Sequence, residues 1–529
     1  MLILKMAYPI YSRHRRRKRR KFMKLNYKRT ILVGFAFFLI SAFWQAYDAI
    51  VPLIMTNHYG LSQTVSGAVM SLDNVLAVFL LPIFGALSDK VMTKFGRRTP
   101  FIVLGTCAAI LSFVFLACID AWQLSRLADE GIVEWYNNTK ELQTAAKQLL
   151  AEAKEAGNEA LVAFHEAELA RLDGVFAEIT AKVHEFTLSN LWPVVGFIGV
   201  LLVVLLSMAI FRSPAVALMP DVTVKPLRSK GNAIINLMGA AGGVLVLVLG
   251  MVFGTAKNLY MNYVGYVIAV CAIMGMGLVI FILTVKEKTW AEEMEAESER
   301  LGLNEEAEEA SGEKRKLSKP EFISLALILA SVALWYIGYN SITSKYSVYA
   351  TNVLGFDYNS TLIIAQAAAI ISYIPVGIVS SKFGRRKTIL AGIIMLASAF
   401  LLGYFITPTV PAIIMFPIFA LAGIGWATIN VNSFPMVVEL ARGGDVGKYT
   451  GYYYTASMAA QIVAPILSGA IYDLVGNALG NANLGMRYVF FIFGAVFVAF
   501  SFVTMFFVKH GDAKAEKVSA LEALGGADD

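Results

Sequence analysis

Stretches of roughly 20 apolar residues, the length that crosses a bilayer core as a helix, recur about twelve times between residues 30 and 508. A segment apolar all round has no face to turn to water, and so many of them leave lipid as the solvent that suits the chain. Composition agrees: of 529 residues 57% are hydrophobic and only 16% charged, with a mean hydropathy of +0.63. The fold class expected is an all-α integral membrane protein with twelve transmembrane helices. Cys107, Cys118 and Cys271 fall in or beside apolar spans, where a thiol behaves as a small apolar group, so neither a disulfide nor a metal site is expected. No cofactor is implied: the stretch from Gly250 to Lys257 lacks the spacing of a phosphate-binding loop, and the chain does not read as an enzyme.

Charge sets the expected orientation. The run at 13–21 is almost wholly Lys and Arg and lies just before the first span, which predicts a cytoplasmic N-terminus and, with an even number of spans, a cytoplasmic C-terminus. Segments 88–100, 212–230, 382–387 and 442–448 are basic, whereas 55–63, 407–411 and 476–486 contain no Lys or Arg. Topogenic charge thus accounts for the net charge of +7 without a nucleic-acid partner, and the lipid bilayer of the plasma membrane is the expected surroundings. A start at Met23 would remove most of the basic run. The expected organisation is a basic tail at 1–29, a first six-helix bundle at 30–285, a cytoplasmic linker at 286–320, a second six-helix bundle at 321–508 and a tail at 509–529. Within the first bundle, 123–188 reads as an extracytoplasmic helical insertion broken near Gly157 and Asn158. Spans seven and eleven are expected at 321–343 and 449–474.

The two halves repeat. Gly85, Asp89, Lys90, Gly96, Arg97 and Arg98 lie between spans two and three; Gly377, Ser381, Lys382, Gly384, Arg385 and Arg386 lie between spans eight and nine. A second correspondence links Pro214, Asp221 and Arg228 after span four with Pro435, Glu439 and Arg442 after span ten. Two loop types at matched positions indicate a duplicated six-helix unit, and here the chain resembles the major facilitator superfamily. The resemblance covers all spans and excludes 1–29, 123–188 and 286–320. Four extra residues separate Lys90 from Phe95 and Gly96 relative to that family's loop. The wording from Phe95 to Ile102, with Ala217 to Asp221, is similar to the sucrose and disaccharide proton symporters of the solute carrier 45 type; melibiose-type cation-coupled symporters come second. Plant sucrose carriers have an Arg where Val216 stands, with Arg212 one turn earlier. Melibiose-type carriers have acidic cation ligands where Ala77 and Leu81 stand.

A charge at the bilayer centre costs at least about 2.5 kcal/mol, so an acidic residue kept in a span is a functional candidate. Asp48 and Asp73 are read as the two such residues and as the proton-coupling sites. The resemblance places helices one, four, seven and ten around a central cavity. Sugar hydroxyls need amides and carboxylates, while sugar C–H faces stack on aromatic rings. The substrate candidates are Gln45, Asp48, Asn74, Trp335, Tyr339, Asn340, Gln366, Trp426, Asn430 and Gln461. Asp89, Arg97, Arg98, Arg212, Asp221, Arg385, Arg386 and Glu439 are expected to form a cytoplasmic gate of ion pairs, made when the inside is closed and weaker in the second half, where Ser381 replaces an Asp. The function expected is proton-coupled symport of a sugar by alternating access in a monomer. Its rivals are a sodium-coupled sugar symporter, an exporter of hydrophobic compounds and, in a different class, a non-transporting receptor.

Overall fold

The computed structural model describes residues 25–301, 317–440 and 446–511. The basic run at 13–21, Met23, Arg442, much of the linker and most of the tail lie outside the described residues. The helices are α1 (Tyr27–Asn57), α2 (Gln63–Lys90), α3 (Thr99–Asp129), α4 (Ile132–Glu155), α5 (Glu159–Ser189), α6 (Trp192–Asp221), α7 (Arg228–Phe253), α8 (Val264–Thr284) and α9 (Glu287–Arg300). The second half holds α10 (Lys319–Leu354), α11 (Tyr358–Phe383), α12 (Arg385–Tyr404), α13 (Ala412–Glu439), α14 (Val446–Ala478) and α15 (Leu484–Phe506). All but α4, α5 and α9 are long and apolar enough to cross a membrane, twelve in number among the described residues.

The repeat seen in the loops extends to the packing. In the first half α1 packs on α7, α3 on α6, α2 on α6, and α8 against α1 and α3. In the second half α10 packs on α14, α12 on α13, α11 on α13, and α15 against α10 and α12. Each contact has its counterpart six spans on. Lipid removes the hydrophobic force between helices, so close van der Waals approach has to hold them together. Small residues make that approach possible: a Cβ on Gly242 of α7 would lie 2.6 Å from the Phe38 carbonyl oxygen of α1.

The halves meet along α1 with α10, α2 with α14, and α7 with α11. The meeting is uneven along the membrane axis. α14 packs closely on Gln63–Met70 of α2 and only lightly on Leu72–Lys90, so the halves are joined at one end and splayed at the other. Two glycines make the joined end: a Cβ on Gly67 would drive into the Pro465 carbonyl, and one on Gly469 into the Gln63 carbonyl. The joined end carries the insertion, a helical hairpin of α4 and α5 that turns at Gly157 (φ 65°) and restarts where the Asn158 side chain caps α5. A small separate core of Leu127, Ile132, Tyr136, Ile179, Val183 and Tyr260 seats the hairpin on the end of α3 and on the α7–α8 connection.

Candidate functional site

Three charged residues of the spans, Asp48, Asp73 and Arg212, gather midway, in the space between the halves. On α1, Trp44 and Gln45 are half-buried and Asp48, one turn on, is exposed even though α1 is packed by both halves; its carboxylate opens onto that space. Asp73 on α2 interacts electrostatically with Asp48, and Arg212 on α6 with both. Arg212 stacks over the Trp44 ring at 5.6 Å, and its field reaches Tyr454 on α14 in the other half. The Asn74 amide donates to Asp73 Oδ1 at 2.7 Å. Arg212, expected at the cytoplasmic gate, therefore belongs to this central cluster. It sits on α6 about two and a half turns before Asp221, the last residue of that helix, and Trp44 and the two carboxylates hold it there.

The second half contributes an aromatic wall. Tyr339 of α10 stacks on Trp426 of α13 at 3.7 Å with an interplanar angle of 8°, and Tyr336 meets the same indole edge-on at 5.3 Å. Asn430 lies one helical turn beyond Trp426, its Oδ1 buried without a partner among the described residues. Gln366 of α11 donates to Gln45 Oε1 at 2.7 Å and so bridges the halves above the charged cluster. Asn340 donates back to the Tyr336 carbonyl and Gln461 to that of Ser457, both within their own helices. Trp335 is fully buried, with its indole Nε1 unpartnered among the described residues. Trp44 Nε1 and Gln366 Oε1 are likewise buried and unpartnered.

At the splayed end the Gly-Arg-Arg loops brace each half internally. The Arg98 guanidinium donates to Asp221 at 2.8 Å and pairs with Asp89, while Arg97 lies 3.4 Å from Asp221. In the second half Arg385 pairs with Glu439, Arg386 reaches the Phe506 carbonyl, and Ser381 only bonds back to Ile378. These pairs join helices of one half and are made while that end is open. The pairs expected to be made when the inside is closed thus brace each half while that end is open: the loop and the helix end it binds belong to the same bundle.

Sequence reasoning missed a clamp beneath the first loop. Glu287, at the start of α9 and 2% exposed, accepts from the backbone N–H of Arg97, Arg98 and Thr99 at 2.8, 2.8 and 2.7 Å, and from the Thr99 hydroxyl at 2.7 Å. A carboxylate at the N-terminus of α3 satisfies groups that the helix leaves unpaired. Gly96 is needed there on two counts: its φ is 118°, and a Cβ would meet the Glu287 carboxylate.

Sequence reasoning also missed the lock at the joined end. Asp473 of α14 accepts from the backbone N–H of Gln63 at 2.9 Å, from that of Thr64 at 2.7 Å and from the Thr64 hydroxyl at 2.6 Å, so a carboxylate of one half caps α2 of the other. The fully buried Lys345 of α10 donates to the Gln63 carbonyl at 2.6 Å and is attracted by Asp473. Asn57 and Asn352 exchange amide hydrogen bonds, and Thr255 joins Tyr358 and Asn359 across the halves. Asp48 and Asp73 are therefore not the only acidic residues within spans: Asp473 and Asp120 lie in spans too, nearer the ends. Lys345 lies beyond position 343, where the apolar run fades, but α10 continues through it to Leu354.

The chain matches the MFS_1 like family over residues 30–431 and the Major Facilitator Superfamily over residues 361–525. No curated protein matches it. Among solved structures it is similar to an inward-facing, occupied bacterial homologue of the human lysosomal transporter Spinster, at 12% identity and a TM-score of 0.58 over 92% of this chain and 97% of that one. It is similar to the inward-open xylose transporter XylE from E. coli, at 11% identity and a TM-score of 0.55 over 89% of this chain and 94% of that one. It is similar also to the nucleoside transporter NupG, at 14% identity and a TM-score of 0.52 over 90% of this chain and 99% of that one. At such identities the likeness is one of fold. With a family match over most of its length and two like halves of membrane-crossing helices, the chain is a multi-pass membrane protein that belongs to the major facilitator superfamily.

Proposed function

We propose that this chain is a secondary active transporter that carries a sugar, a di- or oligosaccharide or glucoside, together with a proton by alternating access. The observation that supports this reading best is the central cluster of two carboxylates and an arginine in one half, whose field reaches the other half, which itself carries a stacked Tyr339–Trp426 pair, the two halves being joined at one end. Trp44 Nε1, Gln366 Oε1 and Asn430 Oδ1 offer a donor and two acceptors for hydroxyl groups, and the aromatic wall suits the C–H face of a sugar ring. Asp48 and Asp73 would exchange the proton, with Arg212 stabilising whichever carboxylate is ionised. The basic-loop end is taken as cytoplasmic in the plasma membrane, so the conformation described is inward-open, with Asp473, Lys345 and the Asn57–Asn352 pair closing the outside of a monomer.

Counterflow of labelled sugars in proteoliposomes, with and without a pH gradient, tests the reading. Accumulation of a glucoside driven by an inward proton gradient is the expected result. Uptake that follows sodium and ignores pH would replace the proton by sodium, although Ala77 and Leu81 offer it no carboxylate.

A further inference from the structure

Away from the central space, His58 and Asp120 form a pair in which both side chains are 0% exposed. His58 follows the last residue of α1. Its Nδ1 lies 2.6 Å from Asp120 Oδ1 on α3, and its Nε2 lies 3.1 Å from the Leu259 carbonyl oxygen. A carbonyl oxygen only accepts, so Nε2 carries a hydrogen; a carboxyl oxygen at 2.6 Å from Nδ1 requires a second hydrogen between them. The pair thus holds one proton more than a neutral imidazole with a carboxylate, and is neutral overall. Asp120 Oδ2 is buried with no partner among the described residues, so losing that proton would leave a buried negative charge incompletely paired.

The groups around the pair come from every neighbouring element. Arg126 of α3 turns to Gln123 and to the rings of Trp122 and Phe186. Tyr260 stacks on His58 at 6.0 Å, with Tyr136 of α4 edge-on behind it; Tyr263 leans over the ring at 5.8 Å, and Tyr59 follows in the chain. Burial pushes the Tyr136 phenol up to about 12 and the phenols of Tyr59, Tyr260 and Tyr263 higher, so these rings stay neutral. His184 of α5, exposed, holds the Gly60 carbonyl at 2.9 Å. One residue before His58, Asn57 makes the hydrogen bonds to Asn352 that help to join the halves.

We propose that His58 and Asp120 form a proton-binding site, separate from the central carboxylates, whose occupancy favours closure of the insertion end. With the proton bound, the pair is neutral, and the end of α1 stays packed between α3 and the α7–α8 connection. Without it, water must enter to solvate the charge, the end of α1 loosens, and the Asn57–Asn352 contact goes with it. The proton comes from the insertion side and is not carried across, so the site senses pH independently of what is transported.

The test uses full-length protein in nanodiscs, with Asp48→Asn and Asp73→Asn silencing the central carboxylates, so its outcome does not depend on the symport reading. Spin labels at Leu191→Cys and Leu479→Cys, both exposed at the insertion end, report the separation of the halves after the native cysteines are replaced. Raising pH is expected to shift the distances from closed toward open. His58→Gln and Asp120→Asn should each abolish the shift, and His184→Gln should retain it. A distribution indifferent to pH, or a shift that survives in both variants, overturns the proposal. A second readout, on the unsubstituted pair, is the 15N spectrum of the ring nitrogens of the five histidines, with His58→Gln serving only for assignment. Nε2 protonated, with a hydrogen shared between Nδ1 and Asp120, is the expected result in the closed state; an Nε2 without hydrogen, or an Nδ1 free of any hydrogen-bonded proton, overturns it.

Discussion

A carboxylate in the middle of a membrane protein is tolerated for one of two reasons, and single substitutions tell them apart. If Asp48 and Asp73 serve proton exchange, neutralising them removes a cost of about 2.5–3.5 kcal/mol per charge and takes away function without harming the fold. Asp48→Asn and Asp73→Asn are therefore expected to melt no lower than the parent in detergent while losing pH-driven accumulation. A lowered melting point with accumulation intact would mark them as structural. Trp426 poses the analogous question for substrate. It is half-buried against Tyr339 and Tyr336 rather than locked in a core, so Trp426→Ala should weaken sugar binding about tenfold, the ~1.4 kcal/mol of a lost stacking face, read as a rise in KM at near-constant kcat.

At the scale of the element, α3 begins at a junction where a loop, a linker helix and a helix end share one buried carboxylate. Glu287→Ala leaves three backbone N–H groups and the Thr99 hydroxyl without their acceptor, so a loss of about 1–3 kcal/mol is expected, seen as a lower melting temperature. Glu287→Gln, which retains one acceptor oxygen, should lose less. Equal losses in the two variants would show that packing of α9, where Trp290 lies under the Arg29 guanidinium at 5.2 Å, carries the junction. The paired Gly-Arg-Arg braces act at this scale too: each ties a loop to a helix end of its own bundle.

For the whole molecule, the closed end depends on α2 and α14 approaching until backbone touches backbone. Gly67→Leu or Gly469→Leu should hold that end apart more than it disturbs either bundle, because the atoms nearest an added Cβ at both positions belong to the other half. The expected outcome is slowed uptake together with increased labelling of a cysteine placed at Gln63, now reached from the insertion side. Asp473→Ala is expected to act in the same direction by leaving the N-terminus of α2 uncapped across the interface. Unchanged labelling in all three variants would show that the interface is not a gate.

Much of this was legible in the chain alone. Apolar length dictates a spanning helix wherever lipid is the solvent, so the number of spans follows from local composition, and the repeated loops reveal the duplication because both halves inherit the same turn. Asp48, Asp73, Tyr339 and Trp426 stand out for a related reason, since polar or paired aromatic groups in lipid need an internal partner. Which partners they take is not a local property. Arg212 reads as a loop-adjacent charge until α6 is seen to carry it beside Trp44, and Lys345 lies past the fading of an apolar run that the helix itself ignores. Glu287, Asp473 and His58 find their partners 188, 409 and 62 residues away in sequence. No periodicity encodes such distances. Only the packing of two bundles, tight at one end and open at the other, decided which partners these charges meet.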